Sequence, residues 1–140
     1  MDAIYRFEFK VPAEAVDING HVNNVMYVQW MQDVAVRHAE ALGGRRMAEA
    51  MGATWVVRTH QIEYFRPAFA GDTITLLTWV SDFRKVRSLR KYKFIRTADQ
   101  TVLVRAQTDW VFVNATTGRP LSVPDDIWAL FTIVGKDEEP

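Results

Sequence analysis

The segment from Asp17 to Asn24 (DINGHVNN) concentrates side chains that could act on a reacting molecule. It carries a carboxylate at Asp17, an imidazole at His21, and amides at Asn19, Asn23 and Asn24. A carboxylate can activate water as a general base or attack a carbonyl carbon as a nucleophile. The same residue types also cap turns and helices, so spacing alone leaves both interpretations open.

A long helix is predicted directly after this loop, from Asn23 to Gly44. Asn23 or Asn24 can serve as its N-cap, and the Gly43-Gly44 pair supplies a C-terminal stop. A helix start presents free backbone N–H groups and the positive end of the helix dipole, which stabilise anions. It would therefore suit the oxyanion that forms during acyl transfer.

Most of the circumference of this predicted helix is apolar. Its polar positions form one narrow stripe, which consists of Gln29, Asp33, Arg37 and Glu40. A helix with so wide an apolar surface has to be covered by protein. Because it is the only long helix in the sequence, we expect the rest of the chain to surround it.

The remaining elements are mostly strands. Alternation of apolar and polar residues predicts a strand over 3–12, and runs rich in β-branched and aromatic residues predict four more, over 54–66, 73–83, 86–97 and 101–114. The connections between the last four strands are short, which favours antiparallel neighbours. Short helical segments are predicted at 45–52 and 123–131. The expected fold class is α+β, with one long helix packed on an antiparallel sheet of about five strands, in a single domain over residues 1–140.

Composition limits the possible functions. The 140 residues include 17 Lys+Arg and 17 Asp+Glu, and this zero net charge argues against general binding of nucleic acid. The absence of Cys excludes disulfides, thiolate nucleophiles and Cys-based metal sites. The three His residues lie far apart in sequence, so no metal site is expected. No apolar run reaches the roughly 18 residues of a membrane span, and nothing after Met1 is typical of a secretory signal. We therefore expect a cytoplasmic protein without a membrane partner.

The run from Asp17 to Tyr27 (DINGHVNNVMY) resembles the active-site signature of the hotdog-fold acyl-CoA thioesterases, most of all the 4-hydroxybenzoyl-CoA thioesterase and YbgC-like group. Residues 55–72, 118–120 and 123–124 resemble later segments of the same group. The architecture of that family, a long helix wrapped by an antiparallel sheet, agrees with the one expected from periodicity.

The resemblance implies roles for single residues. Asp17 matches the catalytic carboxylate of the family, and the backbone N–H of Asn24 matches the donor that polarises the thioester carbonyl. Asn19 and His21 match positions in the plant acyl-carrier-protein thioesterases, whose motif has the same D-x-N-x-H-V-N-N form. An acidic residue that those plant enzymes carry downstream falls on Pro67 here. His21 is therefore expected to support catalysis or to orient the substrate.

Other residues are candidates for substrate binding. Asn23 belongs to the signature, and Tyr27 and Trp30 could line an acyl pocket or simply pack in the core. His60, in a predicted strand, could also line the pocket. His38 lies on the apolar side of the long helix and is interpreted as a buried or interface histidine.

Seven of the 17 basic residues lie between positions 84 and 96. They are Arg84, Lys85, Arg87, Arg90, Lys91, Lys93 and Arg96. One interpretation is a solvated strand edge kept soluble by charge. The other is binding of the 3′-phosphate and pyrophosphate of coenzyme A, because related thioesterases contact the 3′-phosphate from this hairpin. Arg84, Lys85 and Arg87 are the best candidates for that contact.

The predicted function is hydrolysis of an acyl-CoA to a free acid and CoA, with no cofactor, because coenzyme A is part of the substrate. The family also implies a homodimer or homotetramer with the active site at the subunit boundary. Two alternatives remain, a hotdog hydratase or dehydratase and a non-catalytic module that binds acyl thioesters. The sequence leaves the acyl-chain specificity open.

Overall fold

The computed structural model describes residues 3–140; Met1 and Asp2, which the predicted domain includes, lie outside the described residues. The strands are β1 (Tyr5–Lys10), β2 (Ala53–Tyr64), β3 (Thr73–Arg84), β4 (Arg87–Arg96) and β5 (Thr101–Asn114). The helices are α1 (Asn24–Leu42), α2 (Gly44–Ala50) and α3 (Asp125–Trp128). The strands form one antiparallel sheet in the order β1-β3-β4-β5-β2. The predicted α+β architecture, with a long helix on a five-stranded antiparallel sheet, is confirmed.

Two predicted elements are shorter in the structure. The strand expected over 3–12 ends at Lys10, because Pro12 lacks an N–H and leads into a short 3₁₀ turn, Ala13–Ala15. The helix expected over 123–131 contains only the single turn of α3. The predicted segment 45–52 forms α2, which starts directly after the end of α1.

Capping residues define both ends of α1. Asn23 is the N-cap, and its side chain accepts a hydrogen bond from the N–H of Val25. At the other end Gly43 adopts a left-handed conformation with φ of 84° and donates its N–H to the carbonyl of Glu40. An L side chain rarely adopts this conformation, so glycine suits the position.

The sheet covers only one side of α1. The buried residues of the helix are Tyr27, Met31, Val34, Ala35 and His38, which lie on one face. The apolar Val25 and Val36 remain 71% and 39% exposed. The expectation that the chain surrounds its long helix is therefore wrong for a single chain, because one five-stranded sheet packs against one face only.

The two ends of the sheet carry different features. Lys10 pairs with Thr73, so the loop that follows β1 lies beside the start of β3. The β3–β4 hairpin lies at the other end of β3, roughly 35 Å away at about 3.3 Å per residue.

In residues 3–140, no helix is long and apolar enough to cross a membrane.

Candidate active site

The loop between β1 and α1 is tied down by backbone hydrogen bonds. Val16 and Val22 form an isolated antiparallel bridge, and the Asp17 N–H donates to the carbonyl of His21 at 2.8 Å. The Val22 N–H donates to the carbonyl of Ala68 at 2.9 Å. Residues 17–21 are thus held as a tight loop directly before the helix.

The two oxygens of the Asp17 carboxylate differ in their hydrogen bonding. Its Oδ1 accepts hydrogen bonds from the N–H groups of Asn19 at 2.9 Å and His21 at 3.3 Å, which fixes the turn. Within residues 3–140, its Oδ2 accepts none. The carboxylate is half-buried. It therefore combines a fixed position with one oxygen open to a water molecule or a reacting carbon.

The first N–H of α1 is also open. The side chain of Asn23 satisfies the N–H of Val25 at 3.0 Å, and its carbonyl accepts from the N–H of Met26 at 2.9 Å. The N–H of Asn24 has no acceptor in the described part of the chain. The sequence left the N-cap open between Asn23 and Asn24, and the structure assigns it to Asn23. This leaves Asn24 with the free donor that an oxyanion requires.

Asn19 and His21 contact Asp17 through their backbone rather than their side chains. Both side chains are exposed, and the His21 ring packs edge-on against Phe69 with centroids 5.3 Å apart. They are positioned to meet a ligand at the surface of the loop. The amide oxygen of Asn23, in contrast, is occupied by the helix cap.

Tyr27 and Trp30 lie in an aromatic core cluster. Tyr27 is buried, and its ring contacts Trp30, Tyr64 and Phe94 at 5.2–5.6 Å between centroids. Burial raises the pKa of Tyr27 to about 12, so its hydroxyl stays protonated. Tyr27 thus packs in the core and Trp30 is only partly buried, while the predicted place of both in an acyl pocket stays a prediction.

His60 lies on the edge strand β2, whose bounds are Ala53–Tyr64. Its Nδ1 is 2.8 Å from the hydroxyl of Thr108 on β5, and burial lowers the pKa of its half-buried ring. This cross-strand contact gives His60 a structural partner. Its predicted place in a substrate pocket stays a prediction.

The basic residues of the β3–β4 hairpin are largely paired with carboxylates. Arg84 binds Asp82 at 2.9 Å, and Arg87 forms a two-pronged contact with Asp109 on β5. Of the three predicted phosphate ligands, only Lys85 is without a carboxylate partner in the described residues. Within one chain, the structure does not bring this hairpin close to the Asp17 loop.

Arg90 does not belong to the surface basic cluster in which the sequence analysis placed it. Its side chain is 5% exposed and lies beneath α1. The alternation of β4 gives the reason, because Arg90 shares the inward face of the strand with Tyr92 and Phe94. That alternation is visible in the sequence and could have separated Arg90 from its exposed neighbours.

His38 is buried at the centre of the helix–sheet interface, as its pattern predicted. Its Nδ1 lies 2.8 Å from Nη1 of Arg90. An arginine can only donate, so His38 is a neutral acceptor here. Burial, and then the charge of Arg90, lower the pKa of His38 from 6.5 to about 3.

This histidine should make stability depend on pH. The unfolded chain takes up a proton on His38 near pH 6.5 and the folded chain does not, so the free energy of unfolding falls as the pH falls below 6.5. Between pH 7.5 and 5.5 the loss from one such histidine is about 1.4 kcal/mol. Urea unfolding of His38→Gln, which keeps an acceptor for Arg90, should show a loss smaller by that amount. Equal losses in both proteins would refute this assignment.

Comparison with models of protein families identifies the superfamily of this chain. Residues 11–131 match the model of the thioesterase-like superfamily. The chain belongs to this superfamily.

Curated relatives of this thioesterase-like chain include plant enzymes. It is 26% identical over 132 residues to the chloroplastic acyl-[acyl-carrier-protein] hydrolase FATB3 of Cuphea viscosissima, covering 88% of this chain and 32% of that protein. The chain thus spans about a third of the length of the curated relatives it matches.

Solved structures share its fold. The probable thioesterase YbaW of Escherichia coli superposes with a TM-score of 0.82 at 19% identity, over 89% of this chain and 94% of that one. The 1,4-dihydroxy-2-naphthoyl-CoA thioesterase Slr0204 of Synechocystis gives 0.79 at 18% identity, over 90% and 93%. The predicted hotdog fold is confirmed.

The finer assignment within the superfamily is not confirmed. Membership of the 4-hydroxybenzoyl-CoA thioesterase and YbgC-like group stays a prediction, while the matching curated relatives include several plant acyl-carrier-protein thioesterases.

The described residues contain no group of three His, Asp or Glu side chains arranged to hold a metal ion.

Proposed function

We propose that this chain is a thioesterase that hydrolyses acyl-CoA thioesters to a free acid and CoA. One observation carries the proposal. A single loop presents an open carboxylate oxygen, Asp17 Oδ2, directly before a helix whose first N–H, that of Asn24, is also open. Membership of the thioesterase-like superfamily supports the same chemistry.

In the proposed reaction the thioester carbonyl accepts a hydrogen bond from the N–H of Asn24. The helix dipole and this donor stabilise the negative charge that develops on the carbonyl oxygen. Asp17 either removes a proton from the attacking water or attacks the carbonyl carbon itself. With water as the nucleophile, the tetrahedral intermediate collapses, the C–S bond breaks, and the CoA thiolate takes up the proton that Asp17 removed from the water. With Asp17 as the nucleophile, the collapse leaves an anhydride between Asp17 and the acyl group. Water then hydrolyses this anhydride to the free acid and the free carboxylate, and the released proton goes to the CoA thiolate. Water is the second reactant, and coenzyme A is part of the substrate.

We further propose that two copies associate along β2, as a homodimer or as half of a homotetramer. β2 is an edge strand of twelve residues, and an open edge of this length presents unpaired backbone groups. Large apolar side chains stay exposed on β2 and around the site, including Val56, Ile18 and Val25. A monomer in sedimentation at assay concentrations would overturn this arrangement.

This pairing would complete the site. In a two-fold antiparallel contact, the Ala53 end of one β2 lies beside the Tyr64 end of the other. The β3–β4 hairpin lies at the Ala53 end, because Arg87 pairs with Val111 near the end of β5. The Asp17 loop lies at the Tyr64 end. The hairpin of the second copy would thus approach the Asp17 loop, with Lys85 available for a phosphate of CoA.

A second candidate substrate is an acyl group carried by acyl-carrier protein. Asn19 and His21 match the plant acyl-carrier-protein thioesterases, and curated relatives with that activity align over 88% of this chain. The downstream acid of those enzymes falls on Pro67, which is exposed here. The absence of that acid weakens the transfer of the plant mechanism, so acyl-CoA remains the first choice.

The test is thiol release from short-chain, long-chain and aromatic acyl-CoAs, and from the matched acyl-carrier-protein thioesters. We expect release from at least one class of CoA ester, and loss of that release in Asp17→Ala with the fold intact. Release from acyl-carrier protein alone would favour the second candidate. Binding of CoA esters without any release would indicate a non-catalytic module and refute the proposal.

A further inference from the structure

A cavity of about 290 Å³ lies away from the Asp17 loop, between the second half of α1, α2 and the hairpin end of the sheet. Its walls are mainly small and aromatic side chains, among them Ala35, Ala39, Trp55, Val80, Phe83 and Phe131. An engineered cavity of about 150 Å³ is enough to bind benzene. This one therefore has room for a considerably larger apolar body.

Arg90 lies in the wall of this cavity without a negative partner. Its Nη1 donates to Nδ1 of His38 at 2.8 Å and to Oγ1 of Thr78 at 3.1 Å, both of which are uncharged. None of the ion pairs among residues 3–140 includes it. Its Nε and Nη2 donate to no acceptor in that part of the chain.

Trp110 lines the same cavity, and its buried Nε1 lies close to the buried hydroxyl of Tyr92. The donors of this wall that stay open are therefore those of Arg90. The carboxylate of Glu49 lies at the rim, where it is exposed and bound to Arg45 at 3.3 Å. The inner wall thus offers donors and a positive charge but no acid.

A buried charge without a partner is costly, and a buried donor without an acceptor adds to the cost. A carboxylate matches the guanidinium in charge and in its two-pronged geometry. We propose that this cavity binds an apolar carboxylic acid in its anionic form, with the carboxylate on Arg90 and the hydrocarbon against the aromatic walls.

The carboxylate can come from two sources. It belongs either to a free acid or to the far end of the acyl group of a dicarboxylic thioester. The second source rests on the proposed thioesterase function and on the proposed pairing along β2, which brings the hairpin end of one copy beside the Asp17 loop of the other. The first source rests on neither. Binding is therefore measured first, without any turnover.

The first experiment compares octanoate with octanol by calorimetry and by tryptophan fluorescence, since Trp55 and Trp110 line the cavity. We expect octanoate to bind the wild-type chain at least tenfold more tightly than octanol. In Arg90→Met, octanoate binding should weaken at least tenfold, while octanol binding changes less than threefold. Equal affinity of the two ligands for the wild type, or no binding of either, would overturn the proposal.

Two further measurements distinguish a loss of the binding site from a loss of the fold. Removing an uncompensated buried charge should leave the Tm of Arg90→Met unchanged or raise it. Ala39→Phe fills the cavity and leaves Arg90 in place, so it should weaken both ligands at least tenfold. Octanoate binding that survives in a folded Ala39→Phe protein would refute this location.

The sources are separated by displacement of octanoate from the Asp17→Asn protein, in which turnover is suppressed. Displacement by adipoyl-CoA or hexadecanedioyl-CoA, but not by hexanoyl-CoA or palmitoyl-CoA, would assign the carboxylate to an acyl group. Displacement by none of the esters would assign it to a free acid. Equal displacement by the esters whose acyl groups lack a carboxylate would place a neutral chain beside Arg90 and overturn its role.

Discussion

Asn24→Pro is expected to lower kcat for thioester hydrolysis by about 10²–10³-fold without loss of fold. Asn24 is the first residue of α1, a position where proline is favoured because the N–H has no partner within the helix. The preceding Asn23 has φ of −64° and ψ of 136°, an extended conformation that is compatible with a following proline. The substitution therefore removes one N–H and little else.

Asn24→Ala is the matched control, because it removes the side chain and keeps the N–H. It should change kcat less than about threefold, whereas Asn24→Pro loses the oxyanion donor. Thiol release under saturating substrate gives kcat for both variants, and thermal unfolding checks their folds. Full activity in the proline variant, or an equal loss in the alanine variant, would remove the Asn24 N–H from the mechanism.

Asp17→Asn is expected to lower kcat by about 10³-fold or more, since general-base groups contribute about 10²–10⁴-fold. An asparagine oxygen can still accept the hydrogen bonds that Asn19 and His21 donate to Oδ1. The loop therefore keeps its shape while the charge of the carboxylate is lost. The measurement is kcat on the best CoA ester found in the panel.

The control for this variant is Asp33→Asn. Asp33 lies on the exposed side of α1 and accepts a hydrogen bond from Gln29 at 2.9 Å, away from the candidate site. It should leave kcat within about twofold. Unchanged activity in Asp17→Asn would place the catalytic group elsewhere in the chain.

Local patterns predicted most of the fold. The strands over 73–83 and 101–114 agree with β3 and β5 to within one residue, because alternation and short turns are local signals. The start of α1 followed from the capping amides, although the choice between Asn23 and Asn24 needed the backbone geometry. The open N–H of Asn24 is a consequence of that choice.

Long-range pairing could not be predicted in the same way. The contact of Arg87 with Asp109 depends on the register between β4 and β5, in which Leu89 lies opposite Asp109. From the sequence alone, where this register is unknown, Arg87 is interpreted as an unpaired cation among the basic residues of 84–96. Arg90 was grouped with the same run, although its inward position gives it a different environment from its neighbours.

The apolar circumference of α1 led to the prediction that the rest of the chain surrounds this helix, but in the structure its flanks are exposed. The sheet of the same chain buries only the stripe that includes Met31, Val34 and His38. Val25 and Val36 stay exposed on the flanks. A sequence does not state whether such a flank is covered by its own chain or by a second copy.

The most direct test of the central claim is the time course of thiol release from an acyl-CoA by the wild-type chain, with the free acid measured in parallel. We predict that release continues linearly beyond one equivalent per chain and that thiol and acid appear in equal amounts. Release that stops at one equivalent, or an ester that binds and stays intact, would contradict a hydrolytic site at Asp17 and Asn24.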